Sequence, residues 1–365
     1  MGANMRIGIP KEIKTREKRI SVTPEGAREL IGDGHEVFVE TGAGAAIGFD
    51  NELYNAVGCQ ILPDADAVFS KAELIVKVKE PQPGEIERLK PSQTLFTYLH
   101  LAPDLTQTKA LMASGATCIA YETVTDSFGR LPLLTPMSEV AGRLSIQIGV
   151  RYLETLEDNT GLLLGGVTGV APAKVVVIGG GVSGRNAAQM AVGLGADVKI
   201  FDLSIDRIRE LDVSFEGRAQ CLYSTTSALE DALADADMVI GAVLVPGAAA
   251  PKVVSAKQVS MMKKGAVMID IAIDQGGCFE TSKTTTHENP TYDIDGVKHY
   301  CVANMPALVA RTATQALSNA TLPFVRALAG KGSSAAMLDN PHLAAGLNVQ
   351  NGEIKHPEVA AALGI

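Results

Sequence analysis

KVVVIGGGVSGRNAA, residues 174–188, is the stretch from which the rest of the chain is read. Four apolar, β-branched residues run into three glycines, and a small-residue helical pattern, RNAAQMAVGLG, follows. Gly179, Gly181 and Gly184 have G-x-G-x-x-G spacing, which carries meaning when a strand precedes it and a helix follows. In that context the first glycine makes the tight turn and the second lets a pyrophosphate approach the backbone. The third lets the helix pack on the strand, and the helix N-terminus receives the phosphates. The next apolar segment, DVKIFD, ends in Asp202, 18 residues after Gly184. A carboxylate there accepts hydrogen bonds from ribose hydroxyls and repels a 2′-phosphate, so NAD is expected rather than NADP, even with Arg207 nearby.

Outward from this turn the alternation of strand and helix continues through ADMVIGAV, AVMIDIAI and YCVANMP. Before it, MRIGIP, HEVFVE, AELIVKVKEP, QTLFTYLHLAPD and TCIAYE alternate with helical stretches. TPEGARELIGDG is one of these, with Thr23 as N-cap and Pro24 at the first helical position. Such alternation predicts βαβ units on parallel sheets. Long helical patterns at 138–158 and about 306–330 flank the central region, the second with a kink expected at Pro323. The expected fold is α/β: two doubly wound parallel-sheet, Rossmann-like domains with a cleft between them, linked by long helices. Residues 1–137 and 305–365 would form a discontinuous catalytic domain, its tail closed by helical pieces, and 138–304 the NAD-binding domain.

Composition narrows the function. The net charge is −9 with no basic tract, and there is no tryptophan, so nucleic acid and anionic membranes are poor partners. Five cysteines without a C-x-x-C suggest neither a disulfide framework nor a metal site. No apolar run reaches the ~18–20 residues that cross a bilayer, and the N-terminus lacks a signal-peptide core. A cytoplasmic protein is expected.

Parallel sheets bind ligands outside the carboxyl ends of their strands. His100 ends one such strand, and its side-chain class suits proton transfer near neutrality. Lys77 and Lys79, two apart in LIVKVKEP, would share a strand face. Arg19, in the basic loop after the first strand, could hold a carboxylate in a bidentate way. Asp270 and Asp274, four apart in VMIDIAID, would also share a face, with Asp274 at the carboxyl end before Gly276 and Gly277. Each residue alone has a bland reading as an edge charge, a structural histidine or a turn acid; together they predict one cleft.

These residues lie in segments that resemble the alanine dehydrogenases, a family related to the NAD-binding portion of proton-translocating transhydrogenase. The resemblance runs from about Met5 to the C-terminus. It is carried by MRIGIPKE, GHEVFVETGAG, LIVKVKEP, LFTYLHLA, AYETV, LPLLTPMSEVAGRLS, VVVIGGGVSG, VIGAVLVPGAAAPK, DIAIDQGGCFE and YCVANMPALVARTAT. It implies reversible, NAD-dependent oxidative deamination of L-alanine to pyruvate and ammonium. Arg19 and Lys79 would hold the pyruvate oxygens, and His100 and Asp274 would be the acid/base residues. Ser138, Val182, Ser183, Asp202, Arg207, Ser224, Val243 and Leu244 would contact NAD. So would Ile271, Ala272, Ile273 and Asp274, and Val302, Ala303, Asn304 and Met305. The resemblance also implies a homohexamer. A transhydrogenase-type domain, an NAD-sensing protein and a dehydrogenase of another amino or imino acid are the alternatives.

Overall fold

The computed structural model describes residues 4–155, 159–243 and 250–364. The chain divides into two compact units, Met1–Met137 with Ala307–Ile365, and Ser138–Pro306.

Among the described residues the first unit holds an eight-stranded sheet. Its strands are β1 (Arg6–Ile9), β2 (Glu36–Glu40), β3 (Gln60–Leu62), β4 (Leu74–Val76), β5 (Thr94–Thr97) and β6 (Thr117–Ala120). From β6 to the far edge the order is β6-β5-β4-β1-β2-β3, all parallel. The chain reverses direction of travel between β1 and β4, the switch point at which such sheets bind ligands. The helix Pro24–Gly32 starts as expected: Pro24 opens it and the Thr23 hydroxyl accepts from Gly26 N–H.

The tail departs from the expectation of helical pieces alone. It does hold short helices, but Leu347–Gln350 pairs antiparallel with β6 and hairpins onto Glu353–Ile354. The hairpin turn is Asn351-Gly352, both at positive φ, which is the two-residue turn that asparagine–glycine favours. The helix Ala310–Lys331 runs through Pro323 rather than ending there.

The second unit holds a seven-stranded sheet among its described residues. In chain order its strands are β7 (Lys174–Ile178), β8 (Asp197–Asp202), β9 (Gln220–Tyr223), β10 (Met238–Gly241), β11 (Val267–Asp270), β12 (Thr291–Ile294) and β13 (Val297–Tyr300). Their order is β12-β13-β11-β10-β7-β8-β9, parallel throughout except for the edge pair β12–β13. The antiparallel β12 joins β13 through Asp295-Gly296, again at positive φ. The six parallel strands have the doubly wound dinucleotide-fold order, with the switch point between β7 and β10. β7, β10 and β11 are buried on both faces, as a sheet covered by helices requires. Both sheets are thus mixed, mostly parallel and flanked by helices.

The long helix of 138–158 is observed as Thr135–Leu153; residues 156–158 lie outside the described residues. No helix of the described residues is long and apolar enough to cross a membrane.

Candidate functional site

The glycine-rich turn and the residues expected around it lie in the second unit. The three glycines of the turn meet different surroundings. A Cβ at Gly184 would overlap the Gly179 carbonyl oxygen, so helix and strand touch there. At Gly179 φ is +94° and a Cβ would stand 2.7 Å from the Ala242 carbonyl oxygen. At Gly181 a Cβ would meet nothing within 4 Å. Packing therefore explains two of these glycines, and the open space at the third would admit a pyrophosphate. Gly181 is also the N-cap of the helix Val182–Gly193, with no side-chain cap and no acid in the first turn. Its N-terminal N–H groups and dipole suit an anion. Val182 is exposed and Ser183 half-buried at this end.

Asp202 ends β8 at the expected place. One carboxylate oxygen accepts from Gly180 N–H at 2.7 Å and the other from Ser204 N–H at 2.8 Å. The carboxylate is thus fixed beside the glycine turn and keeps lone pairs for ribose hydroxyls. Arg207 donates to the Gly180 carbonyl at 2.6 Å and pairs with Glu210 at 2.6 Å. Its guanidinium braces the turn. Ser224 follows β9, and its N–H donates to the Asp202 carbonyl oxygen at 2.9 Å. The helix Thr135–Leu153 reaches the turn through Gly142, where a Cβ would overlap the Ser183 carbonyl. Arg143 locks it there by donating to Asn186 at 2.9 Å. Ser138 lies one helical turn before Gly142, on the same face. Val243 is half-buried beside Gly179; Leu244 lies outside the described residues.

Asp270 and Asp274 do not share a strand face. β11 ends at Asp270, and Ile271–Gln275 is a 3₁₀ turn, so the period-2 argument stops four residues early. Asp270 is fully buried. It accepts from the N–H groups of Ala272 (3.0 Å) and Cys278 (2.8 Å) and from the Ser282 hydroxyl (2.5 Å). Burial pushes its carboxyl above the usual range against the downward pull of those donors. It is a scaffold residue. Asp274 is exposed, and both its oxygens lie 3.2 Å from Asn304 N–H. Asn304 holds φ +58° to present that N–H. Ile271 is half-buried, while Ala272 and Ile273 are buried. Val302 and Met305 are also buried, so Ala303 and Asn304 form the accessible part of the turn after β13.

A second group of candidate residues lies in the first unit, after β1, β4 and β5. Arg19 is 2% exposed, unlike Arg16 and Lys18 in the same loop. Glu17 takes its guanidinium in a fork, Nε to Oε1 at 2.7 Å and Nη2 to Oε2 at 2.5 Å. A third nitrogen, Nη1, lies 3.0 Å from the Met137 sulfur. Burial alone would lower the guanidinium's pKa; the Glu17 bond and charge outweigh it and hold the charge in place. The following residues are pinned: Ile20 N–H donates to Thr314 and Thr23 N–H to Ser318, both on the helix Ala310–Lys331.

Lys77 and Lys79 lie beyond the end of β4 and do not play equal parts. Lys77 is fully buried between Glu12 (3.0 Å) and Glu85 (2.7 Å). Burial, with help from the Glu85 charge, pushes the Glu12 carboxyl up, since one ammonium faces two carboxylates. Glu12 also accepts from Val78 N–H at 2.6 Å, tying the first loop to the Lys79 segment. Lys79 has a 12% exposed side chain, 3.4 Å from Glu80, which Lys14 also pairs. Thr97 holds the Lys79 carbonyl at 2.9 Å.

His100 follows β5 with a left-handed backbone, φ +50°, a conformation that costs roughly 1–2 kcal/mol for an L-residue. Glu122, after β6, offsets this by accepting His100 N–H at 2.6 Å. The Tyr98 ring stacks on the imidazole, centroids 5.7 Å apart and planes 9° apart. The imidazole remains 44% exposed. Glu17, Glu122, Tyr98 and Met137 were not singled out from sequence. The signal for Glu122 was present: it sits at the carboxyl end of its own strand, as His100 does.

The chain is similar to known proteins along nearly its whole length. The alanine dehydrogenase/PNT N-terminal domain model matches residues 8–141 and the alanine dehydrogenase/PNT C-terminal domain model residues 145–357. An alanine dehydrogenase of Halomonas elongata is 57% identical over 99% of this chain and 97% of its own length. One from Bacillus subtilis is 52% identical over 99% and 95%. A solved L-alanine dehydrogenase superposes with a TM-score of 0.96 at 50% identity, covering 99% of both chains. A transhydrogenase from Sinorhizobium meliloti shares the fold, with a TM-score of 0.82 at 22% identity over 96% of this chain and 99% of its own. The chain therefore belongs to the alanine dehydrogenase/PNT family.

Proposed function

We propose that this chain is an L-alanine dehydrogenase, catalysing L-alanine + NAD⁺ + H₂O ⇌ pyruvate + NH₄⁺ + NADH + H⁺. One observation carries the reading. Arg19, Lys79 and His100 stand on the turns after β1, β4 and β5, three adjacent strands, in a chain that matches alanine dehydrogenases along nearly its whole length.

The Gly179–Gly184 turn would hold NAD, with Asp202 accepting from its ribose hydroxyls, and the bound cofactor would supply the hydride acceptor. Arg19 anchors the substrate carboxylate and so orients the α-hydrogen. Lys79 stabilises the negative charge that grows on the substrate oxygen as the carbinolamine forms and collapses. His100 moves a proton at that oxygen or at the attacking water. Asp274 takes the proton of the substrate ammonium before hydride departs, or positions the attacking water. The family resemblance further supports a cytoplasmic homohexamer.

The test is NADH oxidation followed at 340 nm with pyruvate and ammonium, omitting each in turn. Oxidation that requires both supports the reading; oxidation with pyruvate alone points to a keto-acid reductase and rejects it.

A further inference from the structure

The reaction proposed above uses His100 but leaves the carboxylate beside it without a part. Glu122 Oε1 accepts the N–H of His100 at 2.6 Å and that of Leu99 at 3.1 Å. Its Oε2 shares the Leu99 N–H at 3.2 Å. The same Oε1 stands 3.9 Å from Nδ1 of the imidazole. Glu122 is mostly buried, its side chain 15% exposed, so its position is set by its surroundings rather than by solvent.

The imidazole's other constraint is equally fixed. Tyr98 is buried, and its hydroxyl donates to the Leu133 carbonyl at 2.6 Å. The ring that floors the imidazole therefore cannot slide. One oxygen thus performs two tasks: it holds the backbone of a strained residue, and it places a negative charge at the edge of that residue's ring. A base oriented by a third group is the arrangement that nucleophile–base–acid sites use repeatedly.

We propose that Glu122 is a positioning residue for His100, holding its left-handed backbone and orienting its proton-bearing imidazole through the same carboxylate oxygen. This rests on the alanine dehydrogenase reading of the site. When His100 takes up a proton, the ring becomes cationic, and a fixed carboxylate at Nδ1 attracts that charge and keeps Nε2 directed away from Glu122. Glu122 touches neither substrate nor dinucleotide in this account.

Two substitutions separate the backbone task from the charge task. Glu122→Gln keeps an amide oxygen able to accept both N–H groups but removes the charge; Glu122→Ala removes both. Both are assayed for kcat and KM in pyruvate- and ammonium-dependent NADH oxidation, with NADH fluorescence titration and thermal unfolding alongside. General acid–base catalysis contributes ~10²–10⁴-fold, of which orientation and charge are parts. Glu122→Gln is expected to lose about tenfold in kcat, with KM for pyruvate, NADH affinity and thermal midpoint unchanged. Glu122→Ala is expected to lose about 100-fold or more. Wild-type kcat in Glu122→Gln overturns the proposal and reduces Glu122 to a backbone brace, whatever Glu122→Ala does. A raised KM for pyruvate with kcat intact also overturns it, because it makes Glu122 a substrate ligand. The wild-type rate reports separately on the underlying reading: if wild type shows no reaction, both statements fall.

Discussion

Replacing Gly181 by alanine separates folding from dinucleotide binding. At this position φ is −62° and ψ −163°, a backbone that alanine adopts without strain. A methyl group there would meet no protein atom within 4 Å. Folding therefore loses nothing, and the narrower unfolded ensemble stabilises the variant by ~0.4–1 kcal/mol. If a pyrophosphate rests against this backbone, the methyl group displaces it from the helix N-terminus. Losing one charge-assisted N–H bond costs about 1.5–3 kcal/mol, which is roughly 10- to 150-fold in Kd. NADH fluorescence titration and thermal unfolding on the same protein are the assay. Gly181→Ala is expected to melt at or above wild type and to bind NADH at least about tenfold more weakly. Gly184→Ala makes the contrast: its Cβ overlaps the Gly179 carbonyl oxygen, so it loses ~1–3 kcal/mol of stability or more. Wild-type NADH affinity in Gly181→Ala would refute the placement of phosphate at this turn.

Other perturbations test other parts of the account. Lys77→Met strands Glu12 and Glu85 in the core, and should cost ~3–5 kcal/mol in chemical denaturation; Lys79→Met, two residues on, should leave stability nearly intact and lower kcat by ~10²-fold or more. An equal loss of stability in the two variants contradicts the split between scaffold and site. His100→Ala and Asp274→Ala should each abolish most turnover while NADH binding survives, and near-wild-type kcat in either removes that residue from the chemistry. Arg326 holds Asp33 in a fork, at 2.6 and 2.7 Å, and its bonds hold the Asp33 carboxyl below its ordinary value of 3.8. Because the folded value is the lower one, this contribution is full above 3.8 and disappears as pH falls through the folded value. The pair is solvent-exposed, so Arg326→Ala should lower the urea midpoint only slightly at neutral pH and less in acid; urea midpoints that differ equally at pH ~7 and ~3 contradict this assignment.

The parallel cores of both sheets were legible because strand, turn and helix signals agreed locally. Thr23 and Pro24 mark a helix start by their own chemistry, and the glycine turn fixes a strand, a helix and a switch point in eleven residues. The edges were harder. Leu347–Gln350 and Glu353–Ile354 are too short to show an alternation, and their flanks are alanine-rich and helical. Yet Asn351-Gly352 carried a hairpin signal, as Asp295-Gly296 did for β12 and β13. At the site, sequence located the residues that follow strand ends but not the partners that decide their states. Lys77 and Lys79 look alike at period two. They differ because β4 stops at Val76 and because Glu12 and Glu85 come from elsewhere in the unit to bury one of them. Glu17 reads as one charge in a solvated loop until its fork to Arg19 is seen. Asp270 and Asp274 look like one face of a strand until the chain turns at Ile271. In each case the missing information was which strand lies beside which, and where the strand ends.

An L-alanine dehydrogenase joins ammonium to pyruvate at the expense of NADH. Incubation with pyruvate, [¹⁵N]ammonium and NADH, followed by NMR of the products, tests it most directly. One L-[¹⁵N]alanine is expected for each NADH oxidised, and no product when ammonium is withheld. NADH consumed without ¹⁵N in the product, or no alanine formed at all, would contradict it.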